Sequence, residues 1–169
     1  MSETPSPVRL HLLRHADAGD PESWVGDDDV RPLSEKGIRQ AERLGRHLAA
    51  VGFTPDVILT SPKARALQTA EIVARALGQE PRIDERIGGS LGLDVIGRLL
   101  GEAGAPGRPV LVGHDPDFSD LLTTLVGGRE ISMKKGAIAR IDLVEGLRPG
   151  GGHLRWLLPP DLLPREGSS

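Results

Sequence analysis

The sequence contains no cysteine, and this absence excludes disulfides, thiolate nucleophiles and cysteine-based zinc sites. Aromatic residues make up only 2% of the chain and none is tyrosine, so a platform on which nucleic-acid bases stack is not expected. The formal net charge of -3 disfavours a protein that binds phosphate backbones through a broad basic face. We therefore expect no nucleic-acid partner.

Long apolar runs are also missing from the sequence. No stretch approaches the roughly 20 apolar residues that a membrane helix needs. Residues 1–7 lack the basic and apolar segments of a signal peptide. These absences predict a cytoplasmic protein without membrane association, and the lack of cysteine suits a reducing compartment.

The length of 169 residues suits one domain, which we expect over residues 8–160, with flexible tails at 1–7 and 161–169. Apolar patterns with a period of two alternate with patterns of helical period. They predict strands at 8–13, 56–60 and 110–113, helices at 34–51, 62–77 and 116–126, and a closing strand pair at 136–144 and 153–158. Ser34 and Ser61 are the expected N-caps of the first two helices. The alternation predicts an α/β sandwich with a mostly parallel central sheet.

Three of the predicted strands end in residues that can do chemistry, namely Arg14-His15, Ser61-Pro62 and Gly113-His114. In an open α/β sheet, ligands bind outside the carboxyl ends of the strands, so residues roughly 50 and 100 positions apart can meet in one crevice. Arg65 lies in the first turn of the helix that follows Ser61, where unpaired N–H groups and the helix dipole favour an anion. The sequence thus predicts an anion site at this edge of the sheet.

These residue types match the needs of phosphoryl transfer. The forked guanidinium groups of Arg14, Arg65 and Arg31 fit phosphoryl oxygens. A neutral His15 can attack phosphorus at pH 7, and neighbouring guanidinium groups would lower its pKa and keep it neutral. His114 can stabilise the charge that develops on the equatorial oxygens. Each motif alone also fits an ordinary helix cap or exposed polar side chains, and only their joint occurrence at strand ends indicates a site.

The same residues resemble the motifs of the histidine phosphatase superfamily, and within it the SixA-type bacterial phosphohistidine phosphatases. The matching segments are Leu13-Arg14-His15-Ala16, Arg31-Pro32-Leu33-Ser34, Ser61-Pro62-Lys63-Ala64-Arg65-Ala66-Leu67-Gln68-Thr69, Gly113-His114-Asp115-Pro116 and Gly136-Ala137-Ile138-Ala139, with Trp156 and Pro159 near the end. The resemblance implies a three-layer α/β/α sandwich of the phosphoglycerate mutase-like type and a metal-independent phosphatase without a cofactor. It implies that His15 is the phosphorylated nucleophile and that Arg14 and Arg65 bind the phosphoryl group. His114 would complete the pocket, and Arg31 would assist.

The general acid has no clear motif, and Asp17, Glu85 and Asp115 are candidates that the sequence does not rank. An alkoxide leaving group needs a proton, whereas the imidazole of a phosphohistidine can be protonated near neutral pH. The short connection over residues 79–108 offers no long insertion to enclose a small metabolite. Both points favour phosphohistidine in a partner protein of the histidine-phosphotransfer type, with inorganic phosphate as the product.

Other functions are consistent with the same residues. One alternative is a small-molecule phosphomonoesterase that acts on a sugar phosphate or a nucleotide, and another is a non-catalytic phosphate-binding module. A mutase is disfavoured because the sequence shows no second basic cluster. A zinc hydrolase is disfavoured because His11 and His15 would lie roughly 13 Å apart along one strand. Residues 27–29 are expected to form a solvated acidic loop, and Lys134-Lys135 is a candidate for the border of the pocket.

Overall fold

The computed structural model describes residues 4–165, which contain a six-stranded sheet with α-helices on both faces. The strands are β1 (Arg9–Arg14), β2 (Val57–Thr60), β3 (Arg82–Ile83), β4 (Pro109–Gly113), β5 (Ile138–Asp142) and β6 (His153–Leu158). The helices are α1 (Glu35–Ala50), α2 (Ala64–Ala76), α3 (Leu93–Glu102) and α4 (Asp117–Val126). These elements confirm the predicted α/β class, and the short β3 is an addition to the predicted strands.

The strands are arranged in the order β3-β2-β4-β1-β5-β6. The pairs β2–β3, β2–β4 and β1–β4 are parallel, whereas β5 runs antiparallel to both β1 and β6. The predicted mostly parallel sheet with an antiparallel pair at its end is therefore confirmed. Since β1, β2 and β4 are neighbours and parallel, their carboxyl ends lie at one edge of the sheet, where residues from all three can meet.

Alternation along the strands divides the core between the two faces of the sheet. On one face, Leu12 packs in an apolar cluster with residues of α3 and α4, such as Ile96 and Leu122. On the other face, Leu13 packs with residues of α1 and α2, such as Leu44. The result is the three-layer α/β/α sandwich that the resemblance implied.

The prediction that Ser61 caps α2 is wrong. The helix begins at Ala64, and its N-cap position is taken by Lys63, whose side chain makes no capping hydrogen bond. Ser61 Oγ instead accepts a hydrogen bond from the main-chain N–H of Lys63, two residues on, at 3.2 Å. This bond closes a turn before the helix starts, and it leaves the hydroxyl group beside His114. The cap at Ser34 is confirmed, because its side chain accepts from Gly37 N.

The chain after residue 160 is more ordered than the predicted tail at 161–169. Pro160–Leu162 form a 3-10 turn, and Leu163 is buried in the apolar cluster beneath α1 and α2. An apolar side chain at this point gains free energy by leaving water, which holds the segment on the domain. Residues 1–3 and 166–169 of the two predicted tails lie outside the described residues. Between residues 4 and 165, no helix combines the length and the apolar character that crossing a membrane requires.

Candidate active site

His15 directly follows β1, and its main-chain N–H donates to Gly113 O of the neighbouring strand at 2.9 Å. The side chain is buried, with Nδ1 2.7 Å from Ala16 O. Since a carbonyl oxygen only accepts, Nδ1 carries the hydrogen, and Nε2 keeps its lone pair. Burial, together with the charges of Arg65 and Arg14, lowers the pKa of His15 to about 4. His15 is therefore neutral at pH 7, with Nε2 free to act as a nucleophile.

Arg65 is the second residue of α2, and its side chain is buried. Its Nη1 donates to Asp28 O at 2.8 Å, and its Nη2 lies 3.2 Å from Asp28 Oδ2. Desolvation lowers the pKa of Arg65, but a guanidinium group stays protonated at any physiological pH. Asp28 thus holds the outer edge of the Arg65 guanidinium group, while the inner Nε is buried without a partner.

Arg14 is the last residue of β1 and precedes His15. Its Nη1 donates to Met133 O at 2.6 Å and lies 3.2 Å from Asp115 Oδ2. Its Nε is buried without a hydrogen-bond partner. As in Arg65, the far end of the side chain is fixed by protein oxygens and one inner N–H group is left to bind an anion.

His114 directly follows β4, and its ring centroid lies 5.3 Å from that of His15. His114 Nε2 is 2.7 Å from Ser61 Oγ, at the end of the next strand, and Nδ1 is buried without a partner. Burial lowers the pKa of His114 to about 3, and its proximity to His15 and Arg65 contributes. Gly113 permits α4 to pack closely on β4, because a Cβ atom there would lie 2.7 Å from Phe118 Cζ.

Unpaired buried nitrogens are concentrated in this site. Among residues 4–165, the buried side-chain nitrogen and oxygen atoms without a hydrogen-bond partner are Arg14 Nε, Arg65 Nε and His114 Nδ1. Leaving a buried donor unsatisfied costs about 1–3 kcal/mol, so native folds rarely keep such groups without a purpose. All three belong to residues that the sequence assigned to one anion site, and an anion with several oxygen acceptors would satisfy them together.

Arg31 is buried beside this site, and the structure attaches it to the segment before α1. Its Nε donates to Asp28 Oδ1 at 2.8 Å, and its Nη1 donates to Ala18 O at 2.6 Å. Asp28 therefore bridges the guanidinium groups of Arg31 and Arg65. Arg31 is brought to the site through this carboxylate.

The structure distinguishes the three candidates for the general acid. Asp17 accepts hydrogen bonds from Ser34 Oγ at 2.6 Å and from Gly19 N at 3.2 Å, and these bonds lower its pKa, Ser34 most strongly. Asp115 contacts Arg14 and accepts from both the N–H and the hydroxyl group of Ser119. Both carboxylates are thus engaged as hydrogen-bond acceptors by neighbouring donors.

Glu85 is the third candidate and differs from both. It is exposed at the start of the 3-10 turn Glu85–Gly88, and its carboxylate makes no ion pair or hydrogen bond within residues 4–165. The turn packs near the site, because a Cβ atom at Gly88 would lie 3.0 Å from Ser61 Oγ. Of the three, Glu85 has the carboxylate that no other described group engages.

Two residues of the site were missed in the sequence, namely Asp28 and Ser61. Asp28 was expected in a solvated loop. Instead, Asp28–Val30 form a 3-10 turn, and both the carboxylate and the main-chain oxygen of Asp28 contact Arg65. Three adjacent aspartates before a buried arginine were the available signal. Ser61 was interpreted as a helix cap, although its position at a strand end matched that of His15 and His114.

His11, which lies within β1, is not part of the site. His11 Nδ1 contacts Pro109 O at 3.2 Å within the sheet, and its ring packs edge-on against Phe53. Within the described part of the chain, no cluster of three or more histidine or carboxylate side chains is arranged to hold a metal ion. Lys135, expected at the border of the pocket, lies 3.6 Å from Asp17, and its charge contributes to the lowered pKa of His15.

Two histidines and two arginines beside the carboxyl ends of parallel strands define an α/β protein with an anion site. Residues 10–89 match the family described as histidine phosphatase superfamily (branch 1). An uncharacterised protein of Picosynechococcus sp. is 33% identical over 172 residues, covering 90% of this chain and 100% of that protein. The chain belongs to the histidine phosphatase superfamily.

Two further similar proteins belong to different types of phosphatase. The crystal structure of a SixA-type protein from Agrobacterium tumefaciens has a TM-score of 0.74 and 26% identity, and the match covers 91% of this chain and 99% of that chain. The 8-oxo-(d)GTP phosphatase of Mycolicibacterium smegmatis is 31% identical over 159 residues, which are 89% of this chain. This chain spans about half (48%) of the length of that enzyme. The phosphoglycerate mutase-like fold and the SixA-type likeness are thereby confirmed.

Proposed function

We propose that this protein is a phosphatase that transfers a phosphoryl group from phosphohistidine in a partner protein to His15 Nε2 and then to water. The observation that carries the proposal is the set of unpaired buried nitrogens on Arg14, Arg65 and His114 beside a neutral His15. A phosphoryl group has three equatorial oxygens, which can accept from these donors, and an electrophilic phosphorus for Nε2.

The first transfer forms the bond between His15 Nε2 and phosphorus as the bond to the leaving nitrogen breaks. Nδ1–H stays on Ala16 O, so the ring becomes a phosphorylated imidazolium without losing a proton. Arg14 and Arg65 stabilise the equatorial oxygens through fixed N–H groups that need no reorganisation. Water then attacks phosphorus, the Nε2–P bond breaks, and inorganic phosphate leaves with His15 neutral again. Since the guanidinium groups supply the positive charge, the proposal includes no metal ion.

The choice of phosphohistidine is supported by the carboxylates around the site. Asp17 and Asp115 already accept hydrogen bonds from the hydroxyl groups of Ser34 and Ser119, so the protein engages both carboxylates as acceptors. A histidine leaving group can be protonated near neutral pH, so it departs without a strong acid. The likeness to the SixA-type protein of Agrobacterium tumefaciens points the same way.

The second candidate is a small-molecule phosphatase that acts on a nucleotide or a sugar phosphate. The similarity to the 8-oxo-(d)GTP phosphatase supports it, and so does the unpaired side chain of Glu85, which in its carboxylic acid form could protonate an alkoxide. In this case the same nucleophile and the same arginines would act. The two candidates differ in the leaving group alone.

A rapid-quench experiment tests the proposal. Wild type, His15→Asn and the matched control His153→Asn, at an exposed histidine on β6, are mixed in EDTA with a radiolabelled phosphohistidine protein. We expect acid-labile, base-stable label on wild type and on the control, together with released phosphate, and neither signal from His15→Asn. If wild type is labelled and releases phosphate with radiolabelled nucleotides but not with the phosphohistidine protein, the second candidate would be selected. A wild type without label or turnover on any phosphate would indicate the non-catalytic binding module.

A further inference from the structure

One face of α1 carries a row of basic side chains that the site chemistry does not use. Lys36, Arg39 and Arg43 are three and four residues apart, so they lie on the same side of the helix. Like charges at this spacing repel each other and destabilise the helix by a few tenths of a kcal/mol per pair. Within residues 4–165, none of the three makes an ion pair with a carboxylate. The row therefore adds nothing to the stability of the fold.

The row continues into a groove that includes Lys135, a residue whose charge acts on the nucleophile. The side chains of Lys134 and Lys135 line the same concavity as Lys36 and Arg43, and Asp17 lines it too. Lys135 lies 3.6 Å from Asp17, and its charge acts directly on His15. We name the surface formed by Lys36, Arg39, Arg43, Lys134 and Lys135 the basic groove.

The basic groove contrasts with the charge of the molecule as a whole. The chain carries a formal net charge of -3, so a surface dominated by cations is a local concentration. The acidic side chains along it are few, chiefly Asp17, Glu42 and Asp161. Such a patch attracts a negatively charged partner, raises its association rate and orients it on approach.

The length of the basic groove indicates the size of the partner. Lys36 and Arg43 are seven residues apart, which corresponds to about 10 Å along the helix axis, and the distance to His15 adds to this. A folded protein with acidic side chains around its phosphorylated histidine can contact the whole row.

We propose that the basic groove docks an acidic surface of the protein whose phosphohistidine is presented to His15. The inference rests on the proposed function and adds to it the charge of the partner and the face of α1 that binds it. The positive side chains orient the partner so that its phosphoryl group enters beside Lys135.

The test uses two substrates with the same scissile P–N bond. One is a histidine-phosphotransfer domain of net negative charge, phosphorylated on histidine, and the other is phosphoimidazole, which has no protein surface. The variant is Lys36→Glu/Arg39→Glu/Arg43→Glu, with Arg39→Glu alone as a second variant if the triple variant is unstable. The matched control is Arg75→Glu, on α2 and away from the groove. Circular dichroism and melting temperature establish that each variant is folded.

We expect kcat/KM on the phosphorylated domain to fall at least tenfold in the triple variant at low ionic strength and several-fold in Arg39→Glu. Since exposed charges are screened by salt, the difference should shrink at high ionic strength. Turnover of phosphoimidazole and the activity of Arg75→Glu should stay within about twofold of wild type. Equal losses on both substrates, or no loss on the phosphorylated domain, would overturn docking at the groove and leave the proposed function standing. A wild type that cleaves neither substrate would remove both proposals.

Discussion

The carboxylate of Asp28 bridges two buried guanidinium groups, with Oδ1 2.8 Å from Arg31 Nε and Oδ2 3.2 Å from Arg65 Nη2. The main-chain oxygen of Asp28 adds a third contact, to Arg65 Nη1 at 2.8 Å. These bonds occupy the Nη edge of Arg65 and leave Nε for the site. Asp28 therefore fixes the direction in which Arg65 presents its charge, and the contact to Arg31 fixes Asp28.

Removing this carboxylate should weaken catalysis even though it removes a negative charge from an anion site. In Asp28→Ala, Arg65 keeps the main-chain contact and loses the charge-assisted one, so its guanidinium group gains freedom. We expect kcat/KM on phosphohistidine to fall about tenfold, which corresponds to about 1.4 kcal/mol of transition-state stabilisation. The matched control is Asp29→Ala, whose carboxylate lies 3.8 Å from Lys63 and contacts neither arginine. An Asp28→Ala enzyme as active as wild type would show that the carboxylate only shields the arginines.

We expect Ser61 to orient His114 rather than to contact the substrate itself. Its oxygen accepts from Lys63 N and lies 2.7 Å from His114 Nε2. When the hydroxyl hydrogen is donated to Nε2, the proton of the neutral ring is on the unpaired Nδ1, where it can meet an anion. In Ser61→Ala this orientation is lost, and we expect kcat to fall about tenfold with little change in KM.

A double-mutant cycle with His114→Ala separates this positioning role from a general effect on the fold. If Ser61 acts only through His114, adding Ser61→Ala to His114→Ala should cause no further loss of kcat. Additive losses in the double variant would contradict the role assigned to Ser61.

Local patterns were sufficient for the parts of the fold and site that depend on neighbours in sequence. The strand ends at His15 and His114 and the cap at Ser34 follow from short apolar runs and the residues that end them. Ser61 was misread because a serine before a proline looks like a helix cap, and its partner His114 is 53 residues away. The link from Asp28 to Arg65 spans 37 residues and leaves no periodic signal.

The basic groove likewise could not be predicted from local sequence patterns. Lys36, Arg39 and Arg43 are separated along the sequence by acidic and apolar residues, so no basic cluster was recognised. The helix places them on one side, and the fold adds Lys134 and Lys135 from a segment roughly 90 residues later. Only tertiary structure joins these two groups.

Glu85 should matter for one class of leaving group only. Its carboxylate is exposed and unpaired within the described residues, and its turn packs against Ser61. In Glu85→Gln we expect turnover of an alkyl phosphate to fall about 100-fold, as loss of a general acid typically does. Turnover of phosphoimidazole should be unchanged because its leaving group needs less help. The control is Glu80→Gln, an exposed glutamate five residues earlier, and an alkyl phosphatase activity that survives in Glu85→Gln would assign the acid elsewhere.

His11 should make the stability of the fold depend on pH without taking part in catalysis. Burial lowers the pKa of His11 to about 4, against an ordinary histidine pKa of 6.5. Between pH 4 and 6.5 the unfolded chain therefore binds more protons at this residue than the folded chain does. Because stability rises with pH wherever the unfolded state binds more protons, the contribution of His11 is complete above pH 6.5 and is lost as the pH falls towards 4.

The variant His11→Asn isolates this contribution, because an amide N–H can still donate to Pro109 O but does not titrate. Urea unfolding at pH 7.0 and pH 5.0 gives the free energy of unfolding for both proteins. We expect wild type to lose about 1–2 kcal/mol more than the variant over this interval. His15 and His114 titrate in both proteins, so their contributions cancel in the difference. An equal loss in both proteins would mean that His11 is protonated in the fold as readily as in the unfolded chain, and that its burial in the sheet carries no electrostatic cost.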